Sequence, residues 1–275
     1  MASPSDESER KWKRAFSQIR GSQLLGSVDQ ETMAGEKRWL PLESNPEVMN
    51  KFLSHVGVPE DFSMVDVIDL DDEHLEKMPK KVLAVLLLFP TGEQHEQHCA
   101  SEQETIDSDG QVVSDRVYFI KLDADNASGT VALVHAVANA EEELQPADDS
   151  PLKEFIDRTK DMSPEERGQE LEMDETLCCV HETMAKEGQT EAPEGDEETK
   201  LHFITFVALD EQLYELDAHK NYPINHGSTS MDTLLKDAVA VCKAFMERDP
   251  DNLNFSIMAL VSGPAPDTEE EEVEE

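Results

Sequence analysis

Ser128, His202 and Asp217 are polar residues set in apolar surroundings, and a hydroxyl, an imidazole and a carboxylate are the parts of nucleophilic acyl transfer. Ser128 lies in Asn126-Ala127-Ser128-Gly129-Thr130, which opens the apolar run from Val131 to Ala138. A helix apolar on all sides is a buried helix. Its first turn exposes unpaired N–H groups and a partial positive charge, so it stabilises an anion placed there. A Cys thiol at that spot would have its pKa lowered. The residue present is Ser, which also fills the N-cap well. Plain capping and a nucleophile's seat are both open readings of Ser128.

His202 stands in Leu201 to Leu209, a strand otherwise apolar on both faces. A lone His in such a strand is ordinarily a satisfied core residue. A turn at Asp210-Glu211 leads into a second strand, Gln212 to Asp217. If the loop is those two residues, Leu209 faces Gln212 and Ile204 faces Asp217. His202 and Asp217 then become diagonal neighbours on one face, roughly 7–8 Å apart at the backbone and within side-chain reach. An Asp so placed fixes the tautomer of a His and stabilises its cation. A loop longer by one residue sends the two to opposite faces. The other histidines, His181, His219 and His226, read as loop or surface residues.

The elements that must position these groups follow from periodicity and caps. Asn45-Pro46-Glu47 starts a helix with Val48, Phe52 and Val56 on one face. Phe62 to Leu70 alternates through Val65 and Val67 as a strand. Val82 to Phe89 is continuously apolar, the pattern of a central strand covered on both faces. Residues 91–115 are polar and read as loop, and Val117-Tyr118-Phe119-Ile120 reads as a strand leading to Ser128. Helices are expected at Pro151 to Thr159, after the capping box Ser163-Pro164-Glu165-Glu166, and over Thr233 to Arg248. Residues 183–199 form a long Gly-, Pro-, Glu- and Thr-rich loop, and Asn254 to Val261 is a last strand. The intermixed order indicates an α/β (α+β) fold, a mostly antiparallel sheet with helices on both sides.

The 275 residues divide into an N-terminal extension (1–36), one folded domain (37–263) and an acidic tail (264–275). The extension carries a basic-apolar island, Lys11 to Phe16, suited to flexibility or to a short partner-binding helix. The formal net charge of −39 disfavours nucleic acid and anionic membranes as partners. No apolar run approaches the ~20 residues of a membrane span. Met1 to Arg10 has no signal-peptide pattern, so a cytoplasmic or nucleocytoplasmic location is expected. The cysteines Cys99, Cys178, Cys179 and Cys242 show no metal spacing, and no metal or other cofactor is expected.

From Trp39 to Val261 the chain resembles the ubiquitin C-terminal hydrolases, papain-like cysteine peptidases. The resemblance rests on Arg38-Trp39-Leu40-Pro41-Leu42-Glu43, Val85 to Pro90, Val117-Tyr118-Phe119, Asn126 to Thr130, His181-Glu182-Thr183, Glu187 to Pro193, Leu201-His202-Phe203, Leu213 to Asp217, Pro223 to Gly227 and Met246 to Pro250, in the family's order. It implies an α/β/α sandwich with a knotted backbone. It makes 183–199 the crossover loop under which ubiquitin's C-terminal tail threads. It assigns His202 as general base, Asp217 as the residue orienting it, and Ser128 to the position of the nucleophile, which in this family is Cys. Leu122 matches the Gln that donates to the oxyanion. The ubiquitin-binding positions it implies are Pro41, Leu42, Glu43, Ser44, Asn45 and Pro46, then Gly188, Gln189, Thr190 and Glu191 of the crossover loop, and Leu201.

Both departures weaken catalysis. A Ser hydroxyl is far harder to ionise than a Cys thiol, and Leu122 offers no donor. Losing one oxyanion donor costs on the order of 10²–10³ in rate, and losing a triad nucleophile roughly 10⁶. Cys99, Cys178 and Cys179 do not follow a strand and open a helix, so none replaces the nucleophile. The expectation is a monomer that binds ubiquitin, or a ubiquitin-like protein, and hydrolyses its C-terminal bond weakly or not at all. The alternative is an active deubiquitinase in which Ser128 is an introduced substitution or a working nucleophile. A chain under relaxed selection, neither active nor binding, is the third reading, and the well-patterned core speaks against it.

Overall fold

Val82–Pro90 (β2) is apolar along its whole length because both of its faces are covered and neighbours lie on both edges. In the computed structural model, which describes residues 39–79, 81–124, 126–187 and 200–263, it is an inner strand of a six-stranded sheet. The other strands are Phe62–Asp66 (β1), Leu201–Leu209 (β3), Gln212–Leu216 (β4), Ile224–Ser228 (β5) and Ser256–Ser262 (β6), in the order β1-β6-β2-β3-β4-β5. Every neighbouring pair is antiparallel.

Alternation along the strands feeds two cores. Leu86 of β2, Phe203 and Val207 of β3, and Met258 and Leu260 of β6 face one side. There they meet Pro46–Val56 (α1), Ser128–Ala138 (α4), Pro151–Thr159 (α6) and Glu175–Ala185 (α8). Val85, Leu87 and Phe89, Ile204 and Phe206, and Ile257 and Ala259 face the other side, against Leu234–Arg248 (α9). A bulge between Val82 and Ala84 lets Leu83 and Ala84 share the first face. This is the expected α/β arrangement with helices on both sides of an antiparallel sheet.

Several helix starts follow their sequence signals. The Asn45 side chain accepts from Glu47 N with Pro46 in the first turn. Ser163 and Glu166 form the capping box of Pro164–Met173 (α7). Ser150 caps α6.

Three stretches differ from expectation. Residues 93–109 are not loop but a 17-residue helix, Glu93–Asp109 (α3), with no buried residue. With no apolar face there was no periodicity to read. Good helix formers and i,i+4 contacts such as Gln97 to Glu93 and Gln103 to Asp107 hold it instead. Val117 to Ile120 is buried but is not a strand. Side chains of α4 bond its backbone: Tyr118 N donates to Asn139 Oδ1, Asn139 Nδ2 donates to Tyr118 O, and Ile120 N donates to His135 Nε2. Strand β1 ends at Asp66, since Ile68 is fully in solvent and Asp71 caps the short helix Asp72–Leu75 (α2). The remaining short helix is Glu141–Leu144 (α5). The expected extension, the Lys11 to Phe16 island, crossover-loop residues 188–199 and the acidic tail lie outside the described residues.

Candidate active site

The β3–β4 hairpin fixes the pairing of His202 with Asp217. Asp210 and Glu211 both take positive φ, 49° and 59°, the conformation of a two-residue turn matched to strand twist. The register therefore runs Leu209 to Gln212 and Thr205 to Leu216, and its continuation sets His202 diagonal to Asp217. His202 Nε2 lies 2.7 Å from Asp217 Oδ1, with both residues buried. Asp217 Oδ1 also accepts from His219 N at 2.9 Å. Burial pushes the Asp217 carboxyl up, but His202 and its hydrogen bond, with Lys220 nearby, outweigh burial and hold it well below the usual carboxylate range. With Nε2 bound to Asp217, the other ring nitrogen of His202 is the one left for a reacting group. Phe89 meets the ring edge-on at 5.8 Å.

Ser128 is the first residue of α4 rather than its N-cap. Ala127 occupies the cap position with helical dihedrals and no side-chain cap bond. The β3–β4 ladder reaches only to Thr205, so Phe203 N needs an acceptor outside it. Ser128 Oγ supplies one at 3.2 Å. The hydroxyl is thus tied to β3, while the first-turn N–H groups of α4 keep their anion-stabilising field. Asn126 turns the chain into the helix with φ 61°.

Leu122 is buried in the core beneath α7, where a Cβ on Gly168 would lie 2.2 Å from Lys121 O and 3.5 Å from Leu122 Cβ. Its backbone N donates to Ala218 O at 3.0 Å. Its side chain has no donor, and its N–H is committed to the loop that carries Asp217.

Ser128, His202 and Asp217 line one cleft of about 370 Å³ with His219, His95 and Cys99. On the other side of Ser128 a pocket of about 50 Å³ is bounded by Pro41, Leu42, Gly129, Leu201 and Phe203. Leu201 is among the exposed large apolar residues. Of the other expected binding positions, Ser44 Oγ donates to Ser256 Oγ, Glu43 O accepts from Asn45 N, and Asn45 and Pro46 start α1. Gly188, Gln189, Thr190 and Glu191 lie outside the described residues.

Sequence reasoning missed several neighbours of the site. Cys99 is on α3, not in a loop, with Sγ 3.4 Å from His95 Nε2. Burial pushes the Cys99 thiol up to about 11 and the His95 imidazole down to about 4, so the pair stays neutral. Their i,i+4 spacing was the available signal. His181 is not a surface residue. It is buried on α8, bonds Thr130 Oγ1 at 2.7 Å and Leu40 O at 2.8 Å, and meets Trp39 edge-on. His226 is on β5, bonded to buried Glu215 at 2.8 Å, and only His219 is exposed in a loop. Behind Asp217, Lys220 bridges Glu215 at 2.5 Å and Glu102 of α3 at 2.6 Å. This bridge docks the polar helix against the cleft.

The family model for Ubiquitin carboxyl-terminal hydrolase, family 1, matches residues 39–247. The chain is 45% identical over 224 residues to a ubiquitin carboxyl-terminal hydrolase of Drosophila melanogaster, covering 82% of this chain and 97% of that protein. It is 44% identical over 220 residues to ubiquitin carboxyl-terminal hydrolase isozyme L1 of Homo sapiens, covering 80% and 96%. Its fold is similar to the UCH37 catalytic domain of Trichinella spiralis bound to ubiquitin vinyl methyl ester, with a TM-score of 0.62, 22% identity, and coverage of 84% of this chain and 99% of that one.

Proposed function

The chain belongs to family 1 of the ubiquitin carboxyl-terminal hydrolases, and from that premise we propose that it binds ubiquitin and hydrolyses bonds at the ubiquitin C-terminus weakly or not at all. The observation that carries the proposal is the pairing of an ordered base with a deficient nucleophile and oxyanion site. His202 and Asp217 are bonded at 2.7 Å as a general base needs. The group beside them is a hydroxyl at the first position of α4, already accepting from Phe203 N.

In this reading the tail of ubiquitin enters between the pocket at Pro41, Leu42 and Leu201 and the cleft holding His202. His202 takes the proton of the attacking group through its ring nitrogen opposite Asp217. With Cys as nucleophile, the helix end and the imidazolium would hold a ready thiolate. With Ser128 the hydroxyl must be deprotonated during attack, which requires a base and oxyanion donors acting together. First-turn N–H groups of α4 remain as donors. Leu122 adds none, and that loss alone costs on the order of 10²–10³ in rate. The strongly acidic chain favours encounter with the basic face of ubiquitin.

Two measurements test this. Calorimetry should detect binding of ubiquitin at micromolar concentrations, and no heat at high micromolar concentrations removes the binding claim. Turnover of a ubiquitin C-terminal fluorogenic amide should lie orders of magnitude below that of a Cys-bearing relative. A rate within a few-fold of the relative would instead make Ser128 a working nucleophile.

A further inference from the structure

His219 is exposed, yet its ring stacks on buried His202 with centroids 4.1 Å apart and planes inclined by 28°. Its backbone N–H holds the same Asp217 oxygen that His202 contacts. One nitrogen of each imidazole and one carboxylate oxygen of Asp217 all lie within 4.8 Å of one another, and all three residues line the cleft. We propose that His202, Asp217 and His219 form a binding site for a zinc-class divalent cation. The cation would take the place of the proton shared by His202 and Asp217, so it uses the same pair in a different state, and its binding requires no ubiquitin.

The donor set and spacing support this. Two imidazoles and one carboxylate are the ligand type of open zinc sites, where water or a ligand takes the fourth position. Tetrahedral bonds of about 2.0–2.1 Å set donor atoms about 3.3 Å apart. His202 Nε2 and Asp217 Oδ1 are 2.7 Å apart because they share a proton, so replacing that proton by a metal widens the pair by about 0.6 Å. His219 must rotate out of its stack on His202 for its nitrogen to converge on the same ion. Local charge also favours a cation. Lys220 and Arg248 are offset by Glu215 and Glu102, so Asp217 supplies the negative charge at the site.

The molecule carries its own control. Asp69, Asp71 and His74 form a second group of potential ligands, one imidazole and two carboxylates, all exposed on and before α2. The test uses the full chain without ubiquitin, titrated with zinc(II) by calorimetry in a weakly chelating buffer and with cobalt(II) by visible absorption. His74→Ala is expected to keep one tight site and a tetrahedral cobalt spectrum. His219→Ala removes an exposed side chain and its ring contact with His202 but keeps the backbone N–H that holds Asp217. It is expected to lower zinc affinity by about tenfold or more and to abolish the cobalt bands. Equal affinity in the parent chain and His219→Ala overturns the proposal, as does a cobalt spectrum lost in His74→Ala and kept in His219→Ala. The readout contains no ubiquitin and no turnover, so its failure leaves the proposed function untouched, and the reverse also holds.

Discussion

Replacing Lys220 by Met should cost more stability than any exposed ion pair in the molecule. Glu215 is almost completely buried, and its carboxylate is held by Lys220 at 2.5 Å and His226 at 2.8 Å. Burial works to raise its pKa, yet Lys220 and His226 outweigh burial and hold it down to about 2. Removing one partner of a buried pair leaves an uncompensated charge, at a cost of roughly 3–5 kcal/mol. For a domain of this size that is a fall in Tm of roughly 6–20 °C. The sign with pH is specific. In the parent chain Glu215 has a depressed folded pKa, so its contribution is present above the unfolded value and is lost as pH falls from about 4.5 toward 2. Without Lys220, burial dominates and the folded pKa rises, so the variant's deficit should be largest near neutrality and shrink on acidification. Thermal denaturation followed by circular dichroism at two pH values measures this. Lys220→Met combined with Glu215→Gln should recover most of the loss, since a neutral pair needs no counter-charge. A change in Tm under 2 °C for Lys220→Met, or no recovery in the double variant, would refute the reasoning.

Burial lowers His95 and His181 to about 4 and His135 to about 3, and it lowers the half-buried His98 as well. Each native imidazole refuses a proton that the unfolded chain accepts below about 6.5, so urea midpoints should fall as pH drops from 6.5 toward 4. His135→Gln keeps an acceptor for Ile120 N and should flatten that slope by about one proton's worth, ~1.4 kcal/mol per pH unit; an unchanged slope counts against the assignment. His181→Phe breaks the bonds to Thr130 and Leu40 together and should cost roughly 2–4 kcal/mol in chemical denaturation, and a loss under 1 kcal/mol would show that these bonds do not tie Leu40 to α8. Gly129→Ala places a Cβ 2.9 Å from Leu42 Cβ at the floor of the smaller pocket. It should lower Tm by overpacking Leu42 and Phe203 and also weaken ubiquitin binding in calorimetry, and unaltered affinity in the folded variant would remove that pocket from the binding surface.

The legibility of the fold varied with where each signal lay. The 201–217 hairpin was readable because a two-residue turn and a period of two fix which side chains share a face. The contact between His202 and Asp217 followed from register alone. Helix starts with Pro and a capping side chain were readable for the same local reason. Helix α3 was not, because its partners are polar and distant in sequence: Lys220 for Glu102, and Tyr222 for Gln103. Val117 to Ile120 had strand composition, but its hydrogen bonds go to the side chains of Asn139 and His135, which no short window of sequence contains. Ser128 was open between cap and nucleophile seat. The structure places it at the first helical position, where its hydroxyl accepts from Phe203 N. His181 reads as a surface residue in the sequence because the polar partner that satisfies it, Thr130, is 51 residues away.

We propose an intact fold and His202–Asp217 pair beside a nucleophile position and an oxyanion position that Ser128 and Leu122 leave deficient. The most direct measurement is turnover of a ubiquitin C-terminal fluorogenic amide by Ser128→Cys combined with Leu122→Gln, beside each single variant and the parent chain. The double variant is expected to exceed the parent by about 10³-fold or more, and to exceed either single variant by at least about tenfold. A parent rate within a few-fold of the double variant, or a double variant no faster than the parent while still binding ubiquitin, contradicts the account.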